Sequence, residues 1–187
     1  MKIKEMILVS LFASITCILS VVAIPLPFTP VPITLQILAV TMSGAILGGK
    51  LGALSQGIYV LLGAIGLPVY AGGQAGVGIL FGPTGGYLFG FILGSFVIGT
   101  LIQQGMKKGF ALKVEYPIIV VSMLVGLAVI YIWGVLQLML VTKMNFVEAF
   151  VGGVLPFILA DAAKVVAGSI IAFGMRRTIS KTVGYLV

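Results

Sequence analysis

Asp161 and Lys164 are the residues of this sequence best placed to do chemistry. They stand three apart in LPFILADAAKVVAGSIIAF (Leu155 to Phe173), an otherwise apolar run long enough to cross a bilayer. On a helix, residues at i and i+3 share a face. Each charge at the centre of a span costs about 2.5–3.5 kcal/mol on insertion scales, so two of them need a reason. In a span read as Phe150 to Met175, Asp161 lies about 16 Å below the outer end, too deep to snorkel to the interface. One reading is an internal ion pair that neutralises itself and locks packing. Desolvation offsets most of the Coulomb gain of such a pair, and Leu and Ala would pack as well. In the other reading the two groups line a cavity and face a polar solute. Lys164 offers up to three N–H donors and Asp161 offers acceptor oxygens, which suits a small molecule with both acceptor oxygens and N–H donors. We expect the second. A proton relay ranks below it, since one carboxylate and one amine make no chain of titratable groups.

Other chemistries are excluded by what is missing. There is no histidine, one cysteine (Cys17) and four acidic residues in 187. That removes His-based metal sites, Ser-His-Asp and Cys-His catalysis, and any intrachain disulfide. No cofactor or metal is expected, and the chain is poor material for an enzyme. The glycine-rich GGQAGVGILFGPTGGY is not a phosphate loop, because no lysine or arginine lies between Lys50 and Lys107 and no Walker motif occurs. Its glycines, Gly73 among them, let backbone come close to a ligand. Gln74 adds an amide that donates and accepts. Pro83 and Thr84 open a helix, Tyr87 sits one turn in, and Tyr70 and Phe28 can close apolar walls around a ring.

The elements that must position these residues are membrane helices. The chain is 60% hydrophobic and 8% charged, with mean hydropathy +1.28, against about 45–50% and about 25% in soluble domains. We expect an all-α integral membrane protein: one membrane domain, residues 1–187, folded as a six-transmembrane-helix bundle. The runs are Ile7–Ile24, Ile33–Gly48, Leu51–Gly66, Gly85–Gln104, Tyr116–Val141 and Phe150–Met175. The basic-then-apolar N-terminus resembles a signal peptide, but its apolar run continues to Ile24 without a small-residue cleavage site, so an uncleaved first span is expected. With both termini inside, Lys2, Lys4, Lys50, Lys107, Lys108, Lys113, Arg176, Arg177 and Lys181 fall on the inner side and only Lys143 on the outer. The positive-inside rule therefore gives N-in, C-in. The net charge of +7 then reports topology and contact with membrane lipid, and no nucleic acid is expected. Two irregular segments fall on the outer face, the proline-rich PLPFTPVP (Pro25–Pro32) and the glycine-rich Leu67–Gly86, where loops on a rigid scaffold commonly bind ligands. On the first span Ser10, Ala13, Ser14 and Cys17 form a small-residue stripe, read either as packing within the bundle or as a docking groove for another membrane protein.

Three strings, PLPFTPVPITLQ, GGQAGVGILFGPTGGYLFGF and LPFILADAAK, resemble the BioY family, the biotin-specific substrate-binding (S) components of energy-coupling factor (ECF) transporters. The resemblance covers nearly the whole chain. It implies a six-helix bundle in the bacterial plasma membrane that takes biotin from the extracellular side for high-affinity uptake. It implies partners too: a transmembrane coupling subunit and ATPase subunits, the former docking on small residues of the first span. Asp161 and Lys164 carry over as ligand-binding residues. Gly73, Gln74, Tyr87, Tyr70, Phe28, Thr84 and Gln36 complete the expected site. Asp161 can accept from a ureido N–H, and Lys164 can donate to the ureido oxygen or to the carboxylate. In place of alanines at the docking positions this chain has Ser10, Ser14 and Cys17 beside Ala13. The alternatives are a component for another vitamin, with the same architecture and a different pocket, and a stand-alone secondary transporter or channel. The latter usually shows inverted repeats, and none is evident between residues 1–93 and 94–187.

Overall fold

The computed structural model describes residues 1–107 and 112–183. Helix α1 (Ile3–Val21) leads into a hairpin of β1 (Ala23–Leu26) and β2 (Thr29–Thr34). Then come α2 (Gln36–Leu47), α3 (Gly49–Ala64), a 3-10 turn at Ala71–Gly73 and the short α4 (Val77–Leu80). Helices α5 (Gly85–Lys107), α6 (Leu112–Thr142), α7 (Phe146–Gly153) and α8 (Ile158–Val183) complete the described chain.

Apolar runs fold as helices because a helix satisfies its own backbone polar groups where no water can. Among the described residues four helices are long and apolar enough to cross a membrane: Ile3–Val21, Gly85–Met106, Glu115–Thr142 and Ile158–Arg176. Helices α2 and α3, at 12 and 16 residues, are about 18 and 24 Å long, short of a hydrocarbon core of about 30 Å. Six runs were expected as six spans, the short third the weakest, and the structure has four long helices and two short ones. Helix α2 is buried on every face and packs against α1, α3, α5, α6 and α8. It is the hub of the bundle, as a helix apolar all round should be. Its turn into α3 is the single residue Gly48, whose φ of 82° lies in the left-handed region that glycine adopts freely.

The most extensive helix pairing is α5 against α6. Gly86, Gly90 and Gly94, each four residues apart, face α6 so closely that a Cβ would sit 2.2 Å from the Trp133 carbonyl oxygen, 2.9 Å from Ile130 Cα and 2.6 Å from Ile130 Cγ1 respectively. This is small-residue membrane packing, in which backbones approach directly.

Two expectations about local structure are corrected. The proline-rich segment is a paired hairpin, not an irregular loop, with Ala23 opposite Thr34, Ile24 opposite Ile33, and Leu26 opposite Thr29 after a bulge. Pro25, Pro30 and Pro32 are tolerated because both strands of a two-stranded ribbon are edges, so a missing N–H need leave no ladder bond unmade, and Pro27 lies in the turn between them. The last apolar run is not one helix. Helix α7 ends at Gly153, residues 154–157 form turns, and α8 starts at Ile158. Gly152, Gly153 and Pro156 disfavour a continuous helix there. Asp161 therefore stands in the first turn of α8, not deep inside an unbroken span.

At the end of the bundle away from the hairpin, Arg176 is folded inward rather than left as a flanking charge. Its Nη1 donates to the Ala45 carbonyl at 2.5 Å and its Nε lies 3.5 Å from a Glu115 carboxylate oxygen. Both side chains are buried, so the pair ties α2, α6 and α8 together. Lys108, counted among the inner charges, lies outside the described residues.

Candidate functional site

The hairpin, the glycine-rich connection and the first turns of α2, α5 and α8 converge on one cavity, with about 610 Å³ of empty space counting its open mouth. Strand β2 contributes Val31, Pro32 and Thr34, and α2 contributes Gln36 and Ile37. Tyr70, Ala71, Gln74 and Ile79 come from the connection. Thr84, Tyr87, Leu88 and Phe91, at i, i+3, i+4 and i+7, present one face of the α5 region. Tyr131 of α6 with Phe157 and Asp161 completes the wall.

The ion pair and the cavity are parts of one arrangement. Lys164 Nζ lies 2.6 Å from Asp161 Oδ1 and donates to the Thr34 carbonyl at 2.6 Å. Tyr131 donates its phenolic hydrogen to Asp161 Oδ2 at 2.6 Å. Asp161, only 3% exposed, thus has both oxygens engaged and still borders the void. Lys164 stands behind it, off the cavity wall. The two charges neutralise each other, and of the pair Asp161 borders the cavity. A carboxylate has about four lone-pair sites and an ammonium three donors, so after these contacts each keeps unused capacity. The first turn of α8 adds the positive end of a helix dipole beside the carboxylate.

The network continues along β2 into α2. Thr34 Oγ1 donates to Gln36 Oε1 at 2.9 Å, and Gln36 Nε2 donates to Tyr59 Oη at 2.5 Å. Two aromatic walls are locked by bonds of their own. The Tyr70 hydroxyl donates to the Val60 carbonyl at 2.6 Å, and burial pushes its phenol up to about 12. The Tyr87 hydroxyl donates to the Gly153 carbonyl at 2.7 Å, which also fastens the turn before α8. Gln137 Nε2 donates to the Leu80 and Gly82 carbonyls at 2.6 and 2.8 Å, holding the connection onto α6. The cavity is thus an apolar chamber with rigid walls and a few aimed polar groups, suited to binding a small amphiphilic molecule. Among the described residues no group of acidic, histidine or cysteine side chains could hold a metal ion.

Of the residues singled out in the sequence, Gln36, Tyr70, Gln74, Thr84, Tyr87 and Asp161 meet at this cavity, with Gln74 exposed at its mouth. Gly73 is next to Gln74, with φ 78°, but is not on the wall. Phe28 is elsewhere: it is 65% exposed at the hairpin tip, bordering a second cleft formed with Leu138, Met144 and Val151. The sequence reading passed over Thr34, Phe91, Phe157 and Tyr131. Phe91 continues the helical stripe begun at Thr84 and Tyr87. Tyr131 carries a hydroxyl inside an otherwise apolar run, and a buried phenol usually has a partner. Nothing local marks Thr34, which acts through its main-chain carbonyl.

The small-residue stripe of α1 is divided. Ala13 is buried in the bundle, Ser10 and Ser14 are exposed, and Cys17 is half-buried. The exposed hydroxyls bond back to their own helix, Ser10 to the Met6 carbonyl and Ser14 to the Ser10 carbonyl, each at 2.9 Å.

Residues 1–181 match the BioY family. The chain is 41% identical over 172 residues to a probable biotin transporter BioY of Pyrococcus horikoshii, spanning 92% of this chain and 96% of that one. It is 40% identical over 174 residues to the biotin transporter BioY of Thermotoga maritima, spanning 93% and 96%. Among solved structures it superposes on the S-component for biotin from an ECF-type ABC transporter with a TM-score of 0.82, at 28% identity, covering 94% of this chain and 92% of that one. The chain belongs to the BioY family.

Proposed function

We propose that this BioY-family protein is the biotin-binding membrane component of an ATP-driven ECF importer and takes biotin from the extracellular side. Its work is binding and hand-over rather than catalysis. The observation that carries this reading is the placement of Asp161, engaged by Lys164 and Tyr131 yet bordering the cavity. Biotin is a fused bicycle with a ureido group and a short acid tail. The Asp161 carboxylate can accept a ureido N–H on a free lone pair, while Lys164 braces that carboxylate from behind. Tyr70, Tyr87 and Phe91 flank the bicycle, and Gln74, Thr84 and Gln36 supply polar contacts. A buried polar group left unpaired costs about 1–3 kcal/mol, so such a site disfavours analogues without the ureido group.

The topology we infer has six crossings, α1, α2, α3, α5, α6 and α8, with both termini cytoplasmic, which the lysine and arginine distribution supports. The short α2 is accommodated because protein, rather than lipid, surrounds most of it. The hairpin, the glycine-rich connection and the cavity then face outward from a bacterial plasma membrane, with lipid around the apolar faces. A coupling subunit docks on α1 through its exposed Ser10, Ser14 and Cys17 edge, with Ala13 behind it. ATPase subunits supply the energy that this chain, without a nucleotide motif, does not. No cofactor takes part, since biotin is cargo.

Calorimetric titration of the purified protein with biotin and a panel of other vitamins tests the proposal. The expected result is a biotin Kd at or below about 1 µM, near −8 kcal/mol. Absence of heat and of competition at tens of micromolar rejects biotin, and a stronger response to another vitamin reassigns the ligand.

A further inference from the structure

Among the described residues, Tyr131 is the one group outside α8 that hydrogen-bonds the buried carboxylate. The run around it, Leu127–Leu140, is almost wholly apolar, and a phenylalanine would fill the same space. The hydroxyl therefore needs an account beyond packing. Its hydrogen points at Asp161 Oδ2, 2.6 Å away, while Lys164 holds Oδ1 at 2.6 Å. A carboxylate gripped by Lys164 alone can swing both oxygens toward the ammonium, since its terminal torsion is broad. Held at one oxygen from α8 and at the other from α6, its plane is fixed. Tyr131 also borders the cavity. With its single hydrogen spent on Asp161, the phenolic oxygen can only accept from a ligand. The other phenol near this carboxylate, Tyr87, is turned away to the Gly153 carbonyl and cannot substitute.

Building on the biotin reading above, we propose that Tyr131 is a positioning and specificity-determining residue: it clamps the Asp161 carboxylate in the orientation that receives a ligand N–H. Without the clamp the charge remains but its aim is lost. Discrimination between ligands that present an N–H and those that do not should therefore fall more than general affinity does.

Tyr131→Phe tests this, because it keeps the ring and removes only the hydroxyl. Two measurements are made on full-length protein. The first is infrared difference spectroscopy, wild type minus variant, without ligand. The clamp predicts a shifted carboxylate stretching band, and an unchanged band overturns the proposal whether or not biotin is the ligand. The second compares affinity for biotin with that for biotin methylated on a ureido nitrogen. The variant is expected to lose about tenfold in biotin affinity, the scale of a hydrogen bond to a charged group, with little change for the methylated analogue. Equal losses for both ligands, or no loss for biotin, overturn the proposal. If the wild type itself does not bind biotin, the biotin reading fails, and the ligand discrimination proposed here fails with it, while the infrared band still reports on the clamp.

Discussion

A buried ionised pair needs hydrogen bonds beyond its own contact to offset its desolvation. Around Asp161 and Lys164 this is done by the hydroxyl of Tyr131 on α6 and the main-chain carbonyl of Thr34 on the hairpin. Removing either charged partner therefore has different consequences at the cavity and at its cover. Asp161→Asn and Lys164→Ala are each expected to weaken biotin binding about tenfold or more while the protein still inserts and purifies, as titration will show. Lys164→Ala alone should also speed amide hydrogen exchange at Val31, Ile33 and Thr34, because the strand loses its anchor. Unaltered binding in both variants would leave the pair a purely structural element.

At the scale of elements, close backbone approach decides what each helix tolerates. On α5 the glycines facing α6 leave no room for a side chain, so Gly90→Val should lower stability by about 1–3 kcal/mol, the usual cost of overpacking, read from thermal unfolding in detergent. Gly57 in the middle of α3 is the control: a Cβ there meets nothing within 4 Å, and Gly57→Ala should be neutral or stabilising by up to about 1 kcal/mol. Helix α1 offers a different test. Ser14 is exposed, so Ser14→Trp should leave biotin affinity unchanged and impair co-purification with the coupling subunit. Normal assembly would move the docking surface elsewhere.

For the whole molecule, the pair Arg176 and Glu115 closes the end opposite the cavity. Arg176→Met is expected to cost about 3–5 kcal/mol because it strands a buried carboxylate. Adding Glu115→Leu should restore most of it, as unfolding of the single and double variants will show. Transport belongs to this scale too. Vesicles holding this chain alone should show no ATP-dependent biotin uptake, and adding the coupling and ATPase subunits should supply it.

Composition and run length alone assign the chain to the membrane, because no water-soluble fold hides so much apolar surface. They also place two charges on one face of the last long helix and the Gly48 turn beside Lys50. These are local properties, legible one window at a time. The tertiary structure decided the rest. Lys164 bonds a carbonyl 130 residues away in sequence, and Asp161 a phenol 30 residues away. The pairing of the proline-rich segment as a hairpin, the exclusion of Phe28 from the cavity and the division of the last apolar run all depend on what packs alongside. Hydropathy reports how greasy a segment is, whereas a binding site depends on which polar atoms end up facing one another, and only the folded chain brings those together.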